Sequence, residues 1–93
     1  MNNNFEAYQQ KAQAKLDEVN ARLDLLRAQA KDKGADARIE LDKQMKHLED
    51  KREDLSAKLE EMREAGAEAA EDFGDKINEA IENAGKALEG LFE

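Results

Sequence analysis

The side chains that could carry out covalent chemistry are few, and they are far apart in the sequence. Ser56 is the only serine or threonine, His47 is the only histidine, and the chain has no cysteine. Nucleophilic catalysis needs a hydroxyl or thiol within hydrogen-bonding distance of a base. His47 and Ser56 are nine residues apart, so their side chains cannot meet on one helix. We therefore predict that the protein is not an enzyme.

The sequence also lacks an arrangement of side chains that is typical of a metal site. A helical Glu-x-x-His pair ending at His47 would need glutamate at position 44, where the sequence has Gln44. The flanking Lys43 and Lys46 would also repel a cation. Acidic side chains cluster at residues 60–68, but nothing in their spacing fixes the roughly six to eight oxygen ligands that calcium takes. The sequence predicts no metal and no cofactor.

The large apolar residues follow the spacing of a helix face. Seventeen of the 21 lie on one row that advances in steps of three or four residues from Phe5 to Leu91. We call this row the apolar seam. Such spacing predicts nearly continuous amphipathic helix that must cover the seam with another helix. The seam residues predicted to mediate interaction are Leu16, Val19, Leu23, Leu26, Leu41, Met45, Leu48, Leu55, Leu59, Met62, Phe73, Ile77, Ile81, Leu88 and Leu91.

The composition favours helix and limits the core. Ala, Glu, Lys, Leu and Arg account for 55 of the 93 residues, and there is no proline, which is typical of long helices and coiled coils. Leu, Ile, Val and Phe together number only 17, so the sequence predicts that an isolated monomer is marginally stable. We expect the chain to pack on itself, to self-associate or to fold on a partner.

Two glycines on the seam, Gly34 and Gly66, divide the chain into thirds. The residues around Gly34 predict a helix C-cap at this glycine, followed by a new N-cap at Asp36. The predicted fold is all-α, an antiparallel helical hairpin or three-helix bundle of long amphipathic coiled-coil-type helices. The predicted helices are residues 3–32, 36–65 and 68–92, within a single domain, 1–93.

A continuous rod is the alternative to folding back. The seam stays in phase through Gly34 and Gly66, and a glycine inside a helix costs only about 1 kcal/mol. An unbroken helix would reach about 135 Å and would have to oligomerise to cover its seam. The two glycines are thus the candidate hinges.

Arg52 is the only charged residue on the seam, and it lies between Leu48 and Leu55. Its long stem can lie along apolar surface while the guanidinium stays in water. Alternatively, it specifies the register of helix pairing, as buried polar residues do in coiled coils. Both interpretations stay open at the level of sequence.

Negative charge increases along the chain. The net charge is +1 over residues 1–33, −3 over 34–65 and −6 over 66–93. A total of −8 opposes nucleic-acid binding and favours a basic protein partner. The sequence contains no apolar run of membrane-spanning length and no signal-peptide pattern at its N-terminus. We therefore expect no membrane association, and we predict a cytoplasmic location.

Two segments resemble a known family. They are Ala-Asp-Ala-Arg-Ile-Glu-Leu-Asp-Lys-Gln-Met at 35–45 and Lys-Leu-Glu-Glu-Met-Arg-Glu-Ala-Gly-Ala-Glu-Ala-Ala-Glu-Asp-Phe at 58–73. Over residues 30–75 the chain is similar to small bacterial coiled-coil proteins that are likened to apolipoprotein A/E-type helical repeats. In some bacteria these proteins are associated with stress responses. Ala70 stands where members of that family usually carry tryptophan. The resemblance implies a helical protein without catalytic residues.

The leading functional prediction is a non-enzymatic structural or interaction protein that self-associates through the apolar seam. The family resemblance adds an association with stress. One alternative is a surface-active protectant that folds on lipid or on exposed apolar protein surface. The other alternative is an acidic inhibitor that covers a basic site on a partner protein.

Overall fold

Three long helices account for nearly all of the described chain in the computed structural model. The structure describes residues 3–66, 68 and 70–90. Helix α1 runs Asn3–Lys31, α2 runs Ala35–Ala65 and α3 runs Ala70–Gly90. Each helix packs against the other two. The all-α prediction is thereby confirmed, and its form is the three-helix bundle.

The dimensions of the molecule distinguish the bundle from the rod. The principal extents are 53 × 18 × 17 Å. A helix as long as α2 measures about 46 Å at 1.5 Å per residue, so the bundle is little longer than one of its helices. The chain therefore reverses twice, and the continuous rod is not the form that the structure has.

The first reversal differs in detail from the sequence prediction. Gly34 has φ −71° and ψ 173° and is the N-cap of α2, with no side-chain capping hydrogen bond. The prediction of a C-cap at Gly34 and an N-cap at Asp36 was wrong, because Asp36 already lies in the first turn of α2. Helix α1 ends three residues earlier, at Lys31, where the amide of Asp32 donates to the carbonyl of Gln29 (3.1 Å).

At the other end of α2, Gly66 stops the helix with a backbone conformation that favours glycine. Its φ is 87° and its ψ is 175°, while its amide donates to the carbonyl oxygen of Met62 (3.0 Å). A side chain would strain this region of backbone space. Gly66 therefore ends α2 through its own conformation, whereas Gly34 begins α2 in an extended conformation that any residue adopts.

The core is aliphatic from end to end. No polar or charged side chain is buried among the described residues. Helices α1 and α2 supply mainly leucines, and α3 supplies several alanines: Ala80, Ala84 and Ala87 are all buried. These small side chains allow α3 to pack closely against the larger side chains of α1 and α2. Burial of Ala80 and Ala87 widens the α3 face beyond the predicted seam, because a helix in a three-helix bundle must face two neighbours.

Helices α1 and α3 are in contact where the Tyr8 ring lies against Gly74. A Cβ atom at Gly74 would lie 2.6 Å from Cζ of the Tyr8 ring, which is far inside van der Waals contact. The absence of a side chain at this position thus makes room for the only tyrosine of the chain.

Candidate interaction surfaces

The predicted seam lies inside the molecule. Leu23, for example, is fully buried, and Leu41 is half-buried. Ten of the fifteen predicted residues are buried: Leu16, Val19, Leu23, Leu26, Leu48, Leu55, Leu59, Met62, Ile77 and Leu88. Leu41, Met45, Phe73 and Ile81 are partly buried against them, and Leu91 lies outside the described residues. Association of two chains through the seam would therefore require the bundle to open.

Large apolar residues off the seam behave as the spacing predicts. Leu25 and Ile39 do not belong to the row, and among the described residues they are the exposed large hydrophobic ones, 45% and 57% exposed. Single exposed aliphatic residues are ordinary on a protein surface. Leu25 does differ from Ile39 in one respect, because it borders a groove.

That groove lies between α1 and α3 and has a volume of about 320 Å³. Leu25, Ala21 and Leu88 form its apolar part, and Glu18 and Arg22 line it as well. Because it is open and holds only a few apolar groups, it lacks the enclosed apolar walls of a small-molecule site.

A second groove, of about 350 Å³, joins residues that sequence reasoning did not connect. Lys43 and His47 line it from α2, and Lys86 lines it from α3 near Gly90. Helix α3 has no basic residue in its last turn, and Lys43 of α2 lines the groove together with Gly90, at the negative end of the α3 dipole, and with Glu40. The four-residue spacing of Lys43 and His47 was visible in sequence, but their approach to Lys86 depends on tertiary packing.

The prediction that the protein is not an enzyme rests on His47 and Ser56. In the structure both side chains are exposed on α2. Among the described residues there is no group of three or more histidine, cysteine or acidic side chains arranged to hold a metal ion. A third groove, lined by Asp54, Lys58, Lys76, Glu79, Ala80 and Asn83, contains charges of both signs.

Arg52 connects two helices. It is half-buried in α2, and its guanidinium Nη1 donates to Oδ1 of Asn20 on α1 at 3.3 Å. A second contact between the same helices joins Arg27 to Glu49 at 3.4 Å. Both contacts lie beside the core and reach solvent, so each contributes at most about 1 kcal/mol. The role of Arg52 in register stays a prediction.

Exposed carboxylates of α3 are aligned along one side of the helix, and none of them forms an ion pair among the described residues. Among the side chains whose burial the structure describes, the exposed acids of α3 are Asp72, Asp75, Glu79, Glu82 and Glu89, and we call this set the acidic stripe. Their three- and four-residue steps, interrupted once by Lys86, place them on the side of α3 opposite the core. In the part of the chain that the structure describes, no member of the stripe forms an ion pair.

Five carboxylates of α1 and α2, in contrast, form ion pairs within the molecule: Glu18, Asp24, Glu49, Asp54 and Glu60. Asp24 pairs with Arg27 at 3.2 Å, and Asp54 pairs with Lys58 at 3.2 Å. The sequence shows that the last third is acidic, but it does not show which carboxylates have cationic neighbours. That distinction arises because α1 and α2 carry most of the cations.

Comparison with known proteins adds no relationship. The chain matches no protein-family model, no curated protein and no solved structure. Among the described residues, no helix is both long and apolar enough to cross a membrane.

Proposed function

We propose that the protein is a non-enzymatic interaction protein that uses the acidic stripe of α3 to bind a basic protein partner. The observation that carries the proposal is that α3 presents five exposed carboxylates on one side, none of which forms an ion pair among the described residues, whereas five carboxylates of α1 and α2 do. Exposed charges of one sign attract a partner of opposite sign over long distance and accelerate association.

The fold is compatible with this proposal, because the acidic stripe does not contribute to the core of the bundle. Stability comes from the aliphatic core, in which no described polar side chain is buried. The stripe points away from that core, so neutralising it should not unfold the chain. Removal of like charges that lie three or four residues apart should even stabilise α3 slightly.

The alternatives predicted from the sequence differ in how well they agree with this proposal. An acidic inhibitor of a basic site is one form that such an interaction protein would take. A surface-active protectant would have to expose seam residues such as Leu23 and Leu55, which are fully buried. An association with stress responses rests on the resemblance alone.

The proposal is tested with two triple variants of equal charge. The stripe variant is Asp75→Asn, Glu79→Gln and Glu82→Gln. The control is Asp50→Asn, Glu53→Gln and Glu61→Gln, which neutralises three exposed acids of α2 that form no ion pair in the described structure. Both variants change the net charge equally, so they separate a localised surface from overall charge.

The full-length protein and both variants are immobilised and used to capture proteins from lysate at low and high salt. We expect basic proteins that are retained by the wild-type chain and by the α2 control but are lost from the stripe variant. High salt should release them, because it screens exposed charges. Equal capture by all three baits, or capture that resists salt, would show that the stripe is a solvated face without a partner.

A further inference from the structure

We propose that the α1–α2 turn is a hinge, and that two copies of the chain exchange α1. In the exchanged dimer, α1 and α2 of each copy run as one continuous helix, and each α1 packs against α2 and α3 of the other copy. The partner is a second copy of this chain. The inference concerns the core rather than the acidic stripe, so the two proposals stand or fall separately.

The turn itself is short and weakly held. Between the end of α1 and the start of α2 there are only Asp32, Lys33 and Gly34, all exposed. No side chain caps α2, and a Cβ atom at Gly34 would meet nothing within 4 Å. The backbone bonds at the end of α1 are of the short i to i−3 kind, with N···O distances of 3.1 and 3.5 Å. Opening the turn therefore breaks few interactions.

One of the two backbone angles of Gly34 already has a helical value. Its φ of −71° lies in the helical range, which is near −63°. Only ψ, at 173°, must rotate for this residue to join the helices. Gly66 differs, because its φ of 87° must also change sign. Of the two candidate hinges, Gly34 is thus the one whose geometry allows a continuous helix more readily.

The seam continues through the hinge without a change of phase. Ala30, Gly34, Ala37 and Leu41 follow one another in steps of four, three and four residues. A continuous helix would consequently keep its apolar residues on one face on both sides of the turn. The chain contains no proline that would prevent this. The same seam is compatible with a turn and with a continuous helix.

Opening of one chain exposes the core faces of α2 and α3, which are complementary to an α1 helix. Val19 and Leu23 of α1 are fully buried in the bundle, as are Leu48 and Leu55 of α2. A second copy of α1 restores this packing, and it also restores the contact of Arg52 with Asn20. Exchange of identical elements makes the same contacts between chains as within one chain, so dimer formation depends on concentration and on the turn.

Two substitutions at Gly34 have opposite expected effects. Gly34→Ala favours the continuous helix, because alanine is the better helix former and the poorer N-cap. Gly34→Pro fits the observed φ of −71°, but it would block a continuous helix by clashing with the preceding turn. Because the dimer contains two hinges, we expect Gly34→Ala to raise the dimerisation constant by roughly thirtyfold and Gly34→Pro to keep the chain monomeric.

The full chain and both variants are concentrated to millimolar, heated through unfolding, cooled and analysed by size-exclusion chromatography with light scattering. Circular dichroism establishes that each variant is folded. Solution scattering then measures the dimer length, which should exceed about 95 Å for a continuous helix over residues 3–65, against 53 Å for one bundle.

Three outcomes would overturn the exchange. They are monomers for all three proteins, equal dimer fractions in the two variants, or dimers no longer than the bundle. The last would indicate side-by-side association of closed bundles. Dimers of the expected length that are abundant for Gly34→Ala and absent for Gly34→Pro would establish it.

Discussion

Three glycines of this chain differ in what the lack of a side chain does for the structure. Gly74 makes room for an aromatic ring, Gly66 supplies a positive φ, and Gly85 lies within α3 with only Nζ of Lys15 near the place of a Cβ atom, at 3.9 Å. The residue type alone does not distinguish these cases. They separate only when the neighbours and backbone angles of each glycine are known.

Gly74→Ala and Gly85→Ala form a matched pair within one helix. Both replace glycine by a better helix former, which by itself would stabilise the bundle by about 1 kcal/mol. At Gly74 the new methyl group would meet the Tyr8 ring at 2.6 Å. We expect Gly74→Ala to lower the free energy of unfolding by about 1–3 kcal/mol and Gly85→Ala to raise it.

Thermal unfolding followed by circular dichroism measures both effects, with about 4–8 °C of Tm for each kcal/mol in a domain of this size. The double variant Tyr8→Ala with Gly74→Ala is the control, because removal of the ring should relieve the clash. If Gly74→Ala stabilises the protein as much as Gly85→Ala does, Tyr8 does not pack as described.

At the scale of the helices, the two turns differ in how much they depend on glycine. Gly66 has a positive φ, whereas Gly34 is extended. Both helix ends occur where glycine interrupts the apolar seam, as the sequence predicts. The predicted role of Gly34 as a C-cap was wrong, because the capping role follows from φ and ψ rather than from the residue type.

Gly66→Ala should therefore be more harmful than Gly34→Ala. We expect a loss of about 1–3 kcal/mol at Gly66 from backbone strain. At Gly34, the poorer N-cap and the stiffer unfolded chain should nearly cancel, each being about 0.5–1 kcal/mol. Urea unfolding at micromolar concentration, where exchange between copies is negligible, measures both. Equal losses would contradict the description of the two turns.

Arg52 is the residue through which pairing of α1 and α2 can be tested. We expect Arg52→Leu to change the free energy of unfolding by no more than about 1 kcal/mol, because its hydrogen bond to Asn20 is exposed. If Arg52 fixes register, the variant should show more than one set of amide signals by NMR, and Arg52→Lys should not. A single set of signals for Arg52→Leu, with unchanged oligomeric state, would sink the register hypothesis.

The whole molecule is a narrow bundle whose stability depends on one small core. Because only 17 residues are Leu, Ile, Val or Phe, each fully buried one carries a large share of the total. Small domains are stable by only about 0.05–0.15 kcal/mol per residue. A single cavity in such a core should affect all three helices together.

Leu23 and Leu25 test this expectation two residues apart on α1. Leu23 is fully buried, and Leu25 is 45% exposed. We expect Leu23→Ala to cost about 2–5 kcal/mol and Leu25→Ala to cost no more than about 0.5 kcal/mol. Circular dichroism at the helical band should show loss of most helix in Leu23→Ala on mild warming. Similar melting of both variants would mean that the seam is not the core.

The sequence by itself determined that the chain is helical, which face of each helix is apolar and at which two glycines the helix is able to break. These properties are local: three- and four-residue spacing, the lack of proline and the two glycines all act within a few turns of backbone. Even the exposure of Leu25 and Ile39 follows from their position off the seam.

Only the tertiary structure decided that the seam closes within one chain, because a continuous phase fits a bundle and a rod equally well. Packing also decided that α3 contributes Ala80 and Ala87 to the core, that Tyr8 lies on Gly74 and that Lys86 joins Lys43 and His47 in one groove. Such contacts join residues that are distant in sequence. Their formation depends on the relative rotation of the helices, which no local pattern encodes.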